Sequence, residues 1–296
     1  MVIGRPAPRC YKPRSAKTAG AIVTILNILV LALLQGLTEL LPISSSAHLI
    51  LVPAITGWPD QGLMVDAALH LGTFCAILLY FWRDVWGMLT GLGTALTGPR
   101  NNPGSRLAMQ IVIATIPAVI LGLLIKDYAE TVFRSVTLIA FNAIFFGLLL
   151  FAADRYGARN RDLSQSTWRH ALLIGLAQAL ALVPGTSRSG ITMTAAMGLG
   201  YDRVSAARFS FLISLPVTFG AGLLGVYQIT KTGHDGELAA AALAAGGAFL
   251  SSLATVAFLM SWLRRANFLP FVVYRVILGI GLLIWIFAFG GPLIAG

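Results

Sequence analysis

A polar stretch at residues 184–192 interrupts an otherwise apolar part of the chain. It reads Pro-Gly-Thr-Ser-Arg-Ser-Gly-Ile-Thr, and its charged residue is Arg188. An ionisable side chain within an apolar run is costly inside a membrane and therefore indicates a functional site. Pro and Gly break a helix, and Ser or Thr starts the next one, whose free N–H groups attract anions. With a guanidinium and several hydroxyls beside it, such a helix start predicts a phosphate site.

A second polar stretch, at residues 35–48, has a similar construction. A carboxylate and an amide lie four residues apart and so share one helix face, and a Pro–Ser break and an imidazole follow them. Groups of these types can hold a cation, transfer a proton or attack phosphorus. The residues concerned are Gln35, Glu39, Pro42, Ser44, Ser45, Ser46 and His48.

Together the two stretches predict a site for phosphoryl transfer. His48 would attack phosphorus itself or activate a nucleophile such as Ser45. Glu39 would orient His48 or hold a divalent cation. Arg188 and the helix starts would stabilise the negative charge of the phosphoryl group.

Each of these assignments has a structural alternative. The 184–192 stretch is otherwise a turn between helices with a snorkelling Arg188, and His48 is otherwise a hydrogen-bonded packing residue. Ser46 and Ser189 serve equally well as helix caps. Other polar residues inside apolar runs either join the site or bridge helices. They are Asp66, His70 and Gln178.

The composition indicates that membrane helices must position these groups. The chain has 296 residues, of which 57% are hydrophobic and 11% charged, whereas a soluble domain carries about 25% charged residues. The net charge of +10 comes mainly from residues between apolar runs, which favours anionic lipid headgroups over nucleic acid as partners. We expect a flexible basic tail at residues 1–19 and one membrane domain at residues 20–296. The two cysteines predict neither a disulfide framework nor a metal site.

The lengths of the apolar runs predict an all-α polytopic membrane protein with about six transmembrane helices and two re-entrant helix–loop–helix hairpins. The hairpins cover residues 20–58 and 171–200, each with its break at a proline. Residues 83–106 are expected to form an interfacial helix and a loop, and residues 126–134 a short loop. The predicted spans are 63–82, 107–125, 135–153, 205–229, 238–263 and 271–293.

The two hairpins predict an inverted-topology repeat. Their sequences resemble each other, with a Gln and a Pro before a group of hydroxyl residues. An odd number of predicted spans separates them, so they would enter the membrane from opposite faces and meet at one midplane site. The positions of Lys and Arg in the loops place the N-terminal tail on the outer face by a narrow margin, whereas the basic tail itself favours the inner face.

The two stretches resemble the signatures of the undecaprenyl-diphosphate phosphatases, the bacitracin-resistance type. They read Gln35-Gly-Leu-Thr-Glu-Leu-Leu-Pro-Ile-Ser-Ser-Ser-Ala-His48 and Pro184-Gly-Thr-Ser-Arg-Ser-Gly-Ile-Thr192. The resemblance implies hydrolysis of undecaprenyl diphosphate to the monophosphate and inorganic phosphate, which recycles the lipid carrier of cell-wall synthesis. It also implies a site open to the outer face of the bacterial cytoplasmic (inner) membrane and a divalent cation (Mg2+ or Ca2+).

The residue types and the resemblance together give the expected site. The expected catalytic residues are Glu39, Ser45, His48 and Arg188. The expected phosphate ligands are Ser44, Ser46, Ser187, Arg188, Ser189 and Thr192. The expected metal ligands are Glu39 and Gln35, although Gln35 stands where many members of the family have Glu. The nucleophile stays open between His48, Ser45 and water.

Two other classes of protein also stay open. A transporter or flippase for a phosphorylated polyprenyl lipid likewise uses inverted repeats and broken helices, and it would not need His48 for hydrolysis. A structural scaffold would tolerate apolar replacement of Arg188 and Glu39, and the cost of these residues in a membrane argues against it. The expected partners are a polyprenyl diphosphate and membrane lipids, with no nucleic acid, and a homo-oligomer is left open.

Overall fold

The computed structural model describes residues 25–58, 62–97, 102–132, 135–232 and 235–291. Every regular element within these ranges is a helix. The helices are α1 (Ile25–Leu40), α2 (Ser45–Thr56), α3 (Gly62–Tyr80), α4 (Trp82–Thr97), α5 (Pro103–Val132), α6 (Val136–Tyr156), α7 (Trp168–Leu180), α8 (Arg188–Gly198), α9 (Arg203–Thr232), α10 (Asp235–Leu263) and α11 (Leu269–Phe289), with a one-turn 3-10 helix at Leu163–Gln165. The predicted basic tail at residues 1–19 lies outside the described residues.

Four helices are long and apolar enough to cross a membrane, as judged over the described residues. They are Pro103–Ile125, Val136–Tyr156, Leu238–Leu263 and Leu269–Phe289, and each coincides with a predicted span. The predicted all-α, polytopic membrane class is therefore confirmed, because the described part of the chain is helical and contains several helices that can cross a membrane.

Two further predicted spans, 63–82 and 205–229, are also helical. The first corresponds to α3, which passes the same test only together with α4, and the chain bends by 80° between the two helices. Such a bent pair is either a broken span or a re-entrant loop. The second lies within α9, whose first turns carry Arg203 and Arg208.

The prediction of a loop at residues 126–134 is wrong for most of its length, because α5 continues to Val132. The charged residues in this segment indicated the end of the membrane span. However, the segment contains no Gly or Pro, and Lys, Ala and Glu all favour a helix. A helix can therefore leave the apolar layer without ending.

The helices that lead into the two breaks pack against long helices elsewhere in the chain. α1 packs against α10, and α7 packs against α5. Glycines allow these approaches, since a Cβ on Gly36 would lie 2.6 Å from Ser252 N and one on Gly175 would lie 2.5 Å from Ala114 O. Close contacts at small residues are typical of membrane helices. A further pair, α6 and α11, lies beside the breaks, and α8 contacts α6.

The apolar side chains fall into a buried core and an outward-facing set. Met193, Phe211 and Phe268 belong to the largest buried cluster and are nearly or completely inaccessible. Large apolar side chains such as Leu250 and Ile277 are instead exposed on the spanning helices. Lipid tails are as apolar as leucine, so this outer surface suits a bilayer.

Candidate active site

The breaks after α1 and α7 lie against each other. Ser189 Oγ, at the start of α8, donates a hydrogen bond to the carbonyl oxygen of Leu41 in the first break, at 3.0 Å. The residue that precedes each new helix has a positive φ, 76° at Ser44 and 69° at Ser187. Residues other than glycine rarely adopt this conformation, and it clusters at functional sites where the surroundings enforce it. The hydrogen bond between the two breaks shows that the two helix starts lie in one region of the protein.

Each break carries a Ser-x-Ser triplet whose outer hydroxyls contact each other. The distance between the Oγ atoms is 3.2 Å in the triplet 44–46 and 3.3 Å in the triplet 187–189. The middle residue is Ser45 in the first break and Arg188 in the second, and both bind the carboxylate of Glu39. Equivalent positions of the two breaks thus supply a hydroxyl and a guanidinium to one acid.

Glu39 is the centre of this polar network. Its Oε1 accepts a hydrogen bond from Arg188 Nη2 at 2.6 Å. Its Oε2 accepts one from Ser45 Oγ and one, at 3.3 Å, from Gln35 Nε2. Only 7% of the Glu39 side chain and 15% of the Arg188 side chain are exposed, so solvent screens the ion pair little. Removing either partner would leave a buried charge without compensation.

A cavity of about 210 Å³ opens beside this ion pair. An anion in it would meet a guanidinium, several hydroxyls and two helix starts, all of which bind phosphate oxygens well. The polar residues that line it are Glu39, Ser44, Ser45, Ser46, His70, Gln178, Ser187, Arg188 and Thr218. Ala118, Ala181, Leu182 and Val217 form an apolar part of the wall.

His48 does not line this cavity. Its Nδ1 donates to the carbonyl oxygen of Ser44 at 2.7 Å, which leaves its Nε2 to accept from the hydroxyl of Tyr274 at 2.5 Å. The two rings are also stacked, with their centroids 5.7 Å apart. In this arrangement His48 contacts the serine triplet through the backbone carbonyl of Ser44. It neither bonds Glu39 nor lines the cavity.

Ser189 and Thr192, two of the expected phosphate ligands, also lie away from the cavity walls. Ser189 is buried and bonded to the first break. Thr192 Oγ1 donates to the carbonyl oxygen of Arg188 at 2.7 Å and lies 2.6 Å from Ser210 Oγ on α9. Both hydroxyls therefore hold the start of α8 in place.

Residues 28–281 match the family described as bacitracin resistance protein BacA. The chain belongs to the BacA family. The resemblance that the two motifs indicated is thus confirmed.

The BacA-family chain is similar to curated relatives named undecaprenyl-diphosphatase. It is 50% identical to the one from Alcanivorax borkumensis over 258 residues, which cover 87% of this chain and 97% of the relative. It is 47% identical to the one from Hahella chejuensis over 265 residues, which cover 90% of this chain and 99% of the relative. It is 45% identical to the one from Ruegeria pomeroyi over 262 residues, 88% and 98% of the two chains.

Three polar residues line the cavity although the sequence of this BacA-family protein did not assign them to the site. It left the roles of two of them undecided and gave no indication of the third. His70 Nδ1 donates to the carbonyl oxygen of Asp66 at 2.8 Å, so its Nε2 faces Glu39 Oε2 at 4.0 Å. The position of His70 in an apolar run was its signal. Gln178 had a signal in the repeat, where it corresponds to Gln35. Thr218 had none, because a hydroxyl in a membrane helix normally bonds its own backbone, as this one does to Ser214 O at 2.8 Å.

The donors around Glu39 suit a hard cation better than a soft one. Within the described ranges no three His, Cys, Asp or Glu side chains form a metal-binding group. Gln35 Oε1, however, is buried and has no hydrogen-bond partner there. A carboxylate, an amide oxygen and a hydroxyl are oxygen ligands of the kind that Mg2+ and Ca2+ prefer. The residues present therefore fit a divalent cation.

Proposed function

We propose that this protein is an undecaprenyl-diphosphatase, which hydrolyses undecaprenyl diphosphate to undecaprenyl phosphate and inorganic phosphate. The observation that carries the proposal is the cavity between the two helix starts, where Arg188 and Ser45 both bind Glu39. The names of the relatives support the same reaction. Hydrolysis would regenerate the monophosphate carrier for cell-wall synthesis.

The cavity would bind the diphosphate by charge and by hydrogen bonds. The guanidinium of Arg188 has five N–H donors, and Nη2 binds Glu39 while Nη1 lies 3.4 Å from the carbonyl oxygen of Ser214. Donors beyond those engaged by Glu39 remain for phosphate oxygens. The hydroxyls of Ser44, Ser46 and Ser187 and the free N–H groups at both helix starts complete the cradle.

Ser45 is the nucleophile that the geometry favours. Its Oγ donates to Glu39 Oε2, which is the contact between a hydroxyl and a base that nucleophilic catalysis needs. Oγ would attack the terminal phosphorus, its proton would pass to Glu39, and undecaprenyl phosphate would leave. Water would then cleave the phosphoserine and release inorganic phosphate. Direct attack by water, with Glu39 as base, gives the same products.

A divalent cation would sit at Glu39 and Gln35. When bound, it would supply positive charge that neutralises the diphosphate. The buried, unpartnered Gln35 Oε1 and the carboxylate of Glu39 are the ligands that this chain offers. Mg2+ and Ca2+ are the candidates because both prefer oxygen donors.

We also propose that the protein lies in the bacterial cytoplasmic membrane with the cavity open to the outer face. The polyprenyl chain would lie against the exposed apolar side chains of the spanning helices while the diphosphate reaches the breaks. A transporter of a phosphorylated lipid is the second candidate, because two similar helix breaks face each other in one cavity.

The deciding experiment is phosphate release from undecaprenyl diphosphate by purified protein in detergent, with and without a chelator. Wild type should release phosphate, and Glu39→Gln, Arg188→Met and Ser45→Ala should lose most of the activity. Arg208→Met is the matched control, because it breaks an ion pair with Asp84 that lies away from the cavity. Folded wild-type protein that binds the lipid but releases no phosphate would refute the hydrolase and leave transport.

A further inference from the structure

Arg275 on α11 is fully buried behind the two breaks. Its guanidinium donates to carbonyl oxygens from three separate segments, namely α6, the first break and the second break. The bonds run from Nε to Ala143 O (3.1 Å), from Nη1 to Pro42 O (3.3 Å), and from Nη2 to Asn142 O (3.2 Å), Gly185 O (2.8 Å) and Thr186 O (3.0 Å).

Within the described ranges, this charge contacts carbonyl dipoles and no carboxylate. None of the ion pairs between described residues includes Arg275. Its positive charge is therefore solvated without being cancelled, and charge interactions are strong in a medium of low dielectric constant. Arg275 also lies against the first turn of α8, because a Cβ on Gly190 would be 2.8 Å from Nη1. The charge is thus next to the helix start that carries Arg188.

The two breaks depend on their relative position for the contacts between Glu39, Ser45 and Arg188. Each break consists of turns, and a buried carbonyl group that finds no partner within its own turn needs one from elsewhere in the protein. Arg275 binds Pro42 in one break and Gly185 and Thr186 in the other with a single planar group. A shift of about 1 Å in a catalytic constellation costs roughly a hundredfold in rate.

We propose that Arg275 is a positioning residue for the reaction, which joins the two breaks and so sets Ser45 and Arg188 around Glu39. Its second contribution is the uncancelled positive charge, which favours an anionic diphosphate in the cavity. The inference rests on the proposed phosphatase function. It assigns a role to a residue that does not line the cavity.

The choice of residue separates these two contributions. Lysine keeps the charge but is a compact point charge, whereas the guanidinium is a planar fork with five donors. Arg275→Lys therefore keeps the favourable potential and loses the simultaneous contacts to both breaks. Arg275→Met loses both. A role in stability alone would lower the melting temperature and leave the turnover of folded molecules unchanged.

The matched control is Arg203→Met. Arg203 is a partly buried arginine whose Nε donates to Asp154 Oδ1 at 2.5 Å, and it does not line the cavity. Its removal leaves Asp154 without its cation and should destabilise the fold. Turnover per folded molecule should stay at the wild-type value.

The experiment measures kcat and KM on undecaprenyl diphosphate per folded molecule, alongside thermal unfolding, for wild type and the three variants. Arg275→Lys should lower kcat by roughly tenfold to a hundredfold with little change in KM, and Arg275→Met should lower kcat and raise KM. Wild-type kcat in folded Arg275→Lys would overturn the proposal. Failure of both Arg275 variants to fold would show a purely structural role and would overturn it too. An inactive wild type would instead refute the phosphatase function.

Discussion

The buried pair of Glu39 and Arg188 allows stability and activity to be separated in one set of variants. We expect Arg188→Met and Glu39→Gln each to destabilise the protein and to abolish most hydrolysis. The double variant should recover much of the lost stability, because no buried charge is left unpaired. It should recover no activity, because Arg188 would still be missing as the phosphate ligand and Glu39 as the base for Ser45.

The size of the effect follows from the burial of the pair. The side chains are 7% and 15% exposed, and removing one partner of such a pair costs about 3–5 kcal/mol, most of it from the charge left behind. Arg188 lines the adjoining cavity and keeps part of its side chain exposed, so the lower end of this range applies. We expect a coupling free energy of about 2–3 kcal/mol in the double-mutant cycle. Loss of one donor to a developing anion lowers kcat by about 10²–10³.

The assay is equilibrium unfolding in mixed detergent micelles, run beside phosphate release. The control cycle uses Asp84 and Arg208, whose side chains are 15% and 43% exposed. An ion pair with one such exposed partner should couple by about 0–1 kcal/mol. Additive losses in the Glu39–Arg188 double variant would refute the argument from burial. Full activity in Glu39→Gln would refute its role as base.

Tyr274→Phe removes the partner of His48 Nε2 and should lower kcat about tenfold without unfolding the protein, which steady-state kinetics beside a melting curve will test. Gly36→Ala should cost about 1–3 kcal/mol in unfolding free energy, since its Cβ would meet α10, whereas Gly198→Ala, with open space at its Cβ, is the neutral control. Burial lowers the pKa of His170 below its usual 6.5. As the pH drops through 6.5, the unfolded chain therefore takes up a proton at this residue before the folded protein does, and the stability of the fold should decrease. Melting temperatures across pH should show this fall in wild type and a smaller one in His170→Gln.

Much of the fold could be predicted from the sequence because membrane insertion acts on local composition. An apolar run of sufficient length must become a helix in a bilayer. The four helices that are long and apolar enough to cross a membrane could therefore be predicted without tertiary information. The positions of the breaks could also be predicted, because Pro and Gly interrupt a helix locally. The end of α5 could not be predicted in this way. Charged residues mark the edge of the apolar layer, and a helix can continue past that edge.

The sequence by itself determined which chemistry the protein has. Glu39, Arg188 and the serine triplets stand in runs where polar groups are expensive, and their types specify an anion and a base. Only the tertiary structure decided which of the polar groups meet. His48 bonds Tyr274 from the other end of the chain, His70 faces Glu39, and both outcomes depend on packing between distant helices. Hydrogen bonds and ion pairs require distances near 3 Å, and sequence spacing sets such distances only within one helix.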